Sequence, residues 1–164
     1  MIGVRRLARA VAVLAMGVAA VATAAAPAGA APGGTPANGC VLVAQQPDER
    51  TKTIALVERC GAAAATETAA ADVVALAQYF EHAGWSGQNV YVYGAYGTCD
   101  REGYTLSVGS PWSGMMSSYR VFGNCYYSTV TNWWGNTRYG AIGDQSYVGD
   151  SWNDDVVQFR TWSR

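Results

Sequence analysis

Three consecutive side chains near the end of this 164-residue chain, Asn153, Asp154 and Asp155, carry the amide and carboxylate oxygens that a metal site needs. Calcium takes six to eight oxygen ligands in proteins, and carboxylates are prominent among them. The alternative hypothesis is a polar turn, in which the Asp side chains only accept hydrogen bonds from neighbouring backbone N–H groups. The pattern therefore predicts an acidic loop bounded by strands, and the residues alone leave its role open between ligand oxygens and a structural turn.

Catalytic chemistry is weakly represented in the sequence. The only histidine is His82, and no serine stands in the Gly-x-Ser-x-Gly context of a nucleophile elbow. Asp154 and Asp155 are adjacent, and neighbouring residues of a strand point to opposite faces, which disfavours a cooperating acid/base pair. The sequence predicts a protein that is not an enzyme and has no catalytic residues.

The first thirty residues, 1–30, have the composition of a secretory signal peptide. Arg5, Arg6 and Arg9 precede an Ala/Val-rich run that Pro27 ends, and small residues follow. The run is short and weakly apolar for a membrane span, so we expect cleavage, secretion and no membrane attachment of the mature chain. Cleavage removes three of the 11 basic residues and none of the 12 acidic ones, leaving a formal net charge of −4 that disfavours a nucleic-acid partner.

Four cysteines in an exported chain predict two disulfides, for which three pairings exist. We favour the pairing that is local in sequence, Cys40–Cys60 and Cys99–Cys125. Zinc ligation is the alternative, but the chain has no Cys-x-x-Cys spacing and its single histidine is far from every cysteine in sequence.

Three segments are predicted ahead of the main domain. They are a flexible lead-in at 31–39, a disulfide-tied hairpin-like head at 40–61, and an Ala-rich linker or short helix at 62–72. The head has two short apolar runs separated by a polar stretch. No feature of the sequence indicates what the head packs against.

The remaining residues, 73–164, are predicted to form an all-β domain, because apolar residues alternate with a period of two and glycines punctuate the runs. Part of this domain is an internal sequence repeat, since residues 148–162 resemble residues 108–122 at a shift of forty positions. A second echo, at a shift of forty-eight, relates Tyr127, Trp133 and Gly135 to Tyr79, Trp85 and Gly87. The difference indicates an insertion of eight residues in the first copy, around 94–101. Its Cys99 would fasten the insertion to Cys125, at the junction of the copies.

At these residues the chain resembles the βγ-crystallin family. Residues 80–87 match the family's hairpin motif of an aromatic, four residues, an aromatic, any residue and Gly, whereas the second copy has Ser128 in place of the first aromatic. The resemblance implies two four-stranded Greek-key motifs, at 73–123 and 124–164, packed as a sandwich. It also implies a hairpin turn that an aromatic covers and in which Gly takes a conformation that a side chain would obstruct. The residues to which the resemblance gives structural roles are Phe80, Trp85, Gly87, Trp112, Tyr127, Trp133, Gly135 and Trp152.

The resemblance implies calcium sites shared between loops, because calcium-binding members take acidic and carbonyl oxygens from one loop and a hydroxyl from the loop of the other copy. Asn153-Asp154 keep the acidic half, and Ser117 supplies the hydroxyl. Gly114 and Val157 stand at the converse positions and leave the other site void. We therefore expect one Ca²⁺, with a dissociation constant of roughly 10⁻⁴ M or weaker. The predicted ligands are Ser117, Asn153, Asp154 and Asp155.

Adjacent tryptophans follow in the second hairpin. Because neighbouring strand residues alternate faces, we expect Trp133 to cover the turn and Trp134 to be exposed. An exposed indole could stack on a sugar ring, although a single exposed Trp is ordinary on a protein surface.

Three classes of function remain open for the secreted, monomeric protein that the sequence predicts. The first is a calcium-binding or purely structural βγ-crystallin-like module. The second is an inhibitor of a secreted peptidase, which the resemblance implies because some bacterial members inhibit metalloproteinases; the loop tied by Cys99–Cys125 would be the inhibiting loop. The third is a cell-wall or polysaccharide-binding protein of the antifungal type, with Trp134 as the sugar contact.

Overall fold

The computed structural model describes residues 39–47, 53–69 and 73–164. The predicted signal peptide at 1–30 and most of the predicted lead-in at 31–39 lie outside the described residues. In the described part no helix has both the length and the apolar character to cross a membrane.

The chain is mainly β, as predicted, and its strands belong to one mixed sheet. The strands are β1 (Cys40–Pro47), β2 (Ile54–Cys60), β3 (Val74–His82), β4 (Ser86–Gly94), β5 (Tyr104–Ser107), β6 (Ser118–Val121), β7 (Tyr127–Asn132), β8 (Thr137–Ile142) and β9 (Val156–Trp162). Among the residues that the structure describes, one helix, α1 (Gly61–Thr68), follows β2, and one 3-10 turn occupies Trp112–Gly114. The strand order is β6-β3-β4-β1-β2-β5-β9-β7-β8.

Two groups of three strands within this sheet have the same internal order. In the first, β3 pairs antiparallel with β4 and β6; in the second, β7 pairs antiparallel with β8 and β9. Each group also receives a partner from the other copy, because β5 pairs with β9 and Tyr119 of β6 forms a bridge with Gln145. This bridge brings the two ends of the sheet together, so the sheet curls around its core.

The sequence repeat at a shift of forty is matched by backbone hydrogen bonds at corresponding positions of the two copies. Ser113 N–H donates to Gly109 O at 3.0 Å, and Asn153 N–H donates to Gly149 O at 2.9 Å. The loops that end at the two predicted half-sites, 109–115 and 149–155, therefore share this hydrogen bond at corresponding positions. The same correspondence holds for the hydrogen bonds Val148 N–H to Ser117 O and Val108 N–H to Val157 O, both 2.9 Å.

The predicted head is a hairpin, and it joins the two groups of strands. β1 and β2 pair antiparallel and are tied by the predicted Cys40–Cys60 disulfide. β1 lies parallel to β4 and β2 lies parallel to β5, so the hairpin fills the gap in the sheet between them. Of the two alternatives for the Ala-rich tract, the structure has the short helix, and Ala64 of α1 packs with Val41, Val43 and Tyr91.

Buried aromatic side chains form the centre of the core. Phe159 contacts Tyr79 and Tyr119 edge to face, with ring centroids 5.4 and 4.9 Å apart. Trp112 is buried among them, as predicted, and Trp152 is half-buried against the same cluster. Both copies of the repeat therefore contribute to one core, because the sheet wraps around it.

The second predicted disulfide, Cys99–Cys125, is also formed, so all four cysteines of the chain are paired. Cys99 N–H donates to Gly123 O at 2.7 Å, and Asn124 Nδ2 donates to Cys99 O at 3.0 Å. The inserted segment of the first copy is thus fastened to the junction between the copies, as the sequence predicts.

The first hairpin folds over as its motif predicts. Trp85 Nε1 donates to Tyr119 O at 3.3 Å, which lays the indole across the neighbouring strand. Gly87 has a φ of 78°, and a Cβ there would lie 2.8 Å from His82 Cδ2. Phe80 is buried next to this turn.

The second hairpin does not fold over, and the prediction that Trp133 covers its turn is wrong. Trp133 is 70% exposed. Its turn is closed instead by the buried Asn132 side chain, whose Oδ1 accepts the N–H groups of Trp134 and Asn136 at 3.1 and 2.9 Å. The Asn132 side chain therefore closes this turn in place of an aromatic ring. Tyr127 lies on β7 at the junction with β9, and Gly135 has a positive φ of 78° with open space around it.

Candidate metal centre

A cavity of about 300 Å³ lies where three segments of the chain meet. These segments are the end of β3, the loop that leads into β6, and the loop that leads into β9. The cavity is lined by Glu81, His82, Ala83, Gly114, Met115, Ser117, Asn153 and Asp154. Three of the four predicted calcium ligands thus belong to one cavity.

Ser117 is positioned by hydrogen bonds to both copies of the repeat. Its N–H donates to Phe80 O at 2.9 Å, and its own carbonyl accepts the Val148 N–H at 2.9 Å. Its hydroxyl lies 2.6 Å from Glu81 O and 3.3 Å from Asp154 Oδ1. The hydroxyl of one loop therefore contacts the carboxylate of the other, across 37 positions of sequence.

Asp154 is held in a conformation that few residue types accept. Its φ is 58°, in the left-handed region that Asp and Asn tolerate better than most residues. Its N–H donates to Met116 O at 3.3 Å, which ties the acidic loop to the segment before Ser117. Asn153 Nδ2 donates to Asp154 Oδ2 at 2.8 Å, so the two predicted ligands are also joined to each other.

Glu81 lines the cavity, although the sequence did not indicate it as a ligand. It comes from the first hairpin, and its Oε2 accepts the N–H of Gln88 at 3.0 Å. The same oxygen lies 4.0 Å from His82 Nε2. The sequence does hold one indication of Glu81. At a shift of forty-eight it corresponds to Thr129, so only the first copy has a carboxylate at this position.

Asp155, the fourth predicted ligand, is not on the cavity wall. Its N–H donates to Trp152 O at 3.1 Å, where the loop ends and β9 begins. Gly114, assigned to the void converse site, lies instead on the wall of the Ser117–Asp154 cavity. Its counterpart Val157 is on β9, away from this cavity.

The cavity wall carries oxygen atoms of the kind that hard cations take as ligands. Four side chains offer oxygens there: the carboxylates of Glu81 and Asp154, the amide of Asn153 and the hydroxyl of Ser117. Calcium accepts such oxygens, and backbone carbonyls and water complete its coordination in proteins. Two carboxylates supply the negative charge that offsets the desolvation of a divalent ion.

A different group of side chains is unsuited to a metal. Over the described ranges, Cys40, Glu58 and Cys60 have ligand atoms within 4.8 Å of one another. Both sulfur atoms are consumed in a disulfide, which leaves only one carboxylate. The group gives no support for a metal site.

The arginines at matching positions of the two copies stack on aromatic rings. The guanidinium of Arg120 lies 4.9 Å from the Trp85 ring centroid, and that of Arg160 lies 5.0 Å from the Trp162 ring centroid. These contacts stabilise the folded-over hairpin and the end of β9. Neither arginine lines the cavity.

Comparisons with protein-family models, with curated proteins and with solved structures find no match to this chain.

Proposed function

We propose that the chain is a secreted, monomeric, non-enzymatic protein of the βγ-crystallin type that binds one Ca²⁺ in the Ser117–Asp154 cavity. The observation that carries this proposal is the 3.3 Å contact between Ser117 Oγ and Asp154 Oδ1. The contact pairs the hydroxyl half and the acidic half of a site that two loops share. The cavity around it is lined by a further carboxylate, that of Glu81.

Two Greek-key motifs, at 73–123 and 124–164, are the architecture proposed to support this site. The support is that each group of three strands has the same order and takes a partner from the other copy, β5 beside β9 and Gln145 beside Tyr119. The two disulfides are in keeping with export, since such bonds persist in oxidising compartments.

Calcium would be held by Asp154, Glu81, Asn153 and Ser117, with the two carboxylates providing its charge. These groups come from three segments that the ion would bind together. Calcium binding should therefore stabilise the folded chain, because the unfolded chain does not bring the segments together. A single site with two carboxylates is expected to have a dissociation constant of roughly 10⁻⁴ M or weaker.

The test is isothermal calorimetry together with thermal unfolding in a series of calcium concentrations. At 100 times the dissociation constant, calcium should add about 2.7 kcal/mol to the free energy of unfolding. Asp154→Asn should abolish this gain, because it removes the charge while keeping a residue that tolerates the left-handed backbone. Ser117→Ala should weaken calcium binding through the loss of one ligand.

Asp155→Asn is the matched control, since it makes the same charge change in the same loop but off the cavity wall. It should retain the calcium-dependent rise in melting temperature. A wild-type protein that releases no heat with calcium, or an Asp154→Asn variant that keeps the full thermal shift, would contradict the proposal.

Peptidase inhibition is the second candidate function, and one observation favours it. The inserted segment carries Tyr96, which is 52% exposed, and is fastened nearby through Cys99. A loop held rigid before binding loses less conformational entropy when a protease engages it. Titration against a thermolysin-type metalloproteinase tests this candidate, and undiminished peptide cleavage at excess protein would exclude inhibition of that class.

A further inference from the structure

The tip of the second hairpin exposes two adjacent tryptophans, Trp133 and Trp134, which we call the tip pair. Their side chains are 70% and 83% exposed. An exposed indole ring presents more apolar surface to solvent than most side chains do. Two neighbouring exposed rings are therefore unusual on a protein surface. Neither residue lines the calcium cavity, and the proposed calcium function makes no use of them.

The tip pair is displayed by a turn that has a fixed shape. Asn132, which is buried, accepts two backbone N–H groups of the turn and donates from Nδ2 to Ser151 O at 2.8 Å. Trp152 Nε1 donates to Asn136 O at 2.9 Å and holds the other side of the turn. The turn is thus anchored by the acidic loop, so its backbone needs little ordering when a ligand binds.

The chemistry of the tip indicates an uncharged ligand. Residues 132–137 read Asn-Trp-Trp-Gly-Asn-Thr and contain no ionisable group. The next residue, Arg138, is occupied by hydrogen bonds from its guanidinium to Tyr147 O and Gln145 Oε1. The adjoining loop adds Asp150, whose charge opposes anionic lipids and nucleic acids.

We propose that the tip pair is a binding platform for a neutral polysaccharide. Sugar rings present flat C–H faces that can stack on an indole ring. Their hydroxyl groups can form hydrogen bonds with the indole N–H and with the Asn136 side-chain amide. The sequence indicated Trp134 alone as a sugar contact. The structure adds Trp133, the rigid turn and the uncharged surroundings.

The test measures depletion of the purified protein by insoluble chitin, cellulose and β-1,3-glucan, at one fixed calcium concentration. Wild-type protein should bind at least one of the three. Trp133→Ala and Trp134→Ala should each lower the affinity at least 10-fold, and the double variant should abolish binding. Unchanged melting temperatures would show that the variants fold, which is expected for exposed positions.

Tyr96→Ala is the control, because Tyr96 is an exposed aromatic outside the tip. It should leave the binding unchanged. The proposal is overturned if wild-type protein binds none of the three polysaccharides, or if Tyr96→Ala lowers binding as much as the tip variants do. Tip-dependent binding to phosphatidylcholine vesicles without polysaccharide binding would also overturn it, in favour of a membrane surface. Calorimetry with calcium is a separate readout, so either proposal can fail alone.

Discussion

Two buried tyrosines of the core differ in how their hydroxyl groups are satisfied. Tyr119 Oη and Ser128 Oγ share a hydrogen bond of 2.7 Å. Tyr79 Oη is also buried, yet it has no hydrogen-bond partner among the residues that the structure describes. A buried polar group without a partner costs free energy, whereas a paired one contributes modestly to stability. Removing the hydroxyl group is therefore expected to change the free energy of unfolding in opposite directions at the two tyrosines.

Tyr79→Phe should raise the free energy of unfolding, by about 1 kcal/mol, because it removes an unpaired buried hydroxyl without altering the ring. Tyr119→Phe should lower it by about 1 kcal/mol or more, because Ser128 loses its partner in the core. Denaturant unfolding of the two variants beside the wild type measures both effects. Equal destabilisation by the two substitutions would show that the Tyr79 hydroxyl is satisfied in solution.

Strand β5 links the two copies directly, because it belongs to the first copy and pairs with β9 of the second. Gly103 stands just before it with a φ of 67°, and a Cβ there would collide with Thr161 O and with Trp162. Only glycine allows β5 to lie this close to the end of β9. The close approach explains why the crossing strand begins where it does.

Gly103→Ala should lower the free energy of unfolding by more than Gly97→Ala does. Gly97 also has a positive φ, of 81°, but no atom lies within 4 Å of a Cβ added there. Backbone strain of about 1–2 kcal/mol is common to both substitutions, while the collision adds about 1–3 kcal/mol at Gly103 alone. Thermal melts of the two variants give the comparison. Equal losses would mean that β5 does not approach β9 as described.

At the scale of the whole molecule, the curled sheet encloses the tyrosines and sets how stability depends on pH. Burial raises the pKa of Tyr119 from its ordinary value of 10.0 to about 12, with the hydrogen bond to Ser128 acting in the opposite direction. Burial, followed by the nearby Tyr119, also raises the pKa of Tyr79 well above its ordinary value. Both groups are thus held neutral by the fold.

The protein should lose stability at alkaline pH. Above about pH 10 the unfolded chain releases tyrosine protons that the folded chain retains, so the unfolded state binds fewer protons and the free energy of unfolding falls. The contribution of Tyr119 is complete below about pH 10 and is lost as pH rises to about 12, on the order of 2–3 kcal/mol. Denaturant unfolding at several pH values measures the slope. Tyr119→Phe should make it shallower, and an unchanged slope would contradict the assignment.

The same curled sheet explains which predictions from sequence succeeded at the site. Ser117 and Asp154 were predicted as partners because the resemblance implies sites shared between the loops of the two copies, and their contact at 3.3 Å agrees with that pairing. Glu81 was missed because it reaches the cavity only when the first hairpin folds over. Asp155 was included because it adjoins Asp154, but it does not line the cavity.

The sequence by itself determined the β character and the repeat, because these follow from alternation and spacing along the chain, and it favoured the disulfide pairing that the structure has. The tertiary structure decided where the head hairpin lies, since nothing in β1 or β2 indicates that β4 and β5 are their partners. It also decided that Trp133 faces solvent, because the buried Asn132 closes its turn and is itself held by a bond to the distant Ser151. Local patterns fix local conformation, whereas strand crossings and burial depend on contacts between residues far apart in sequence.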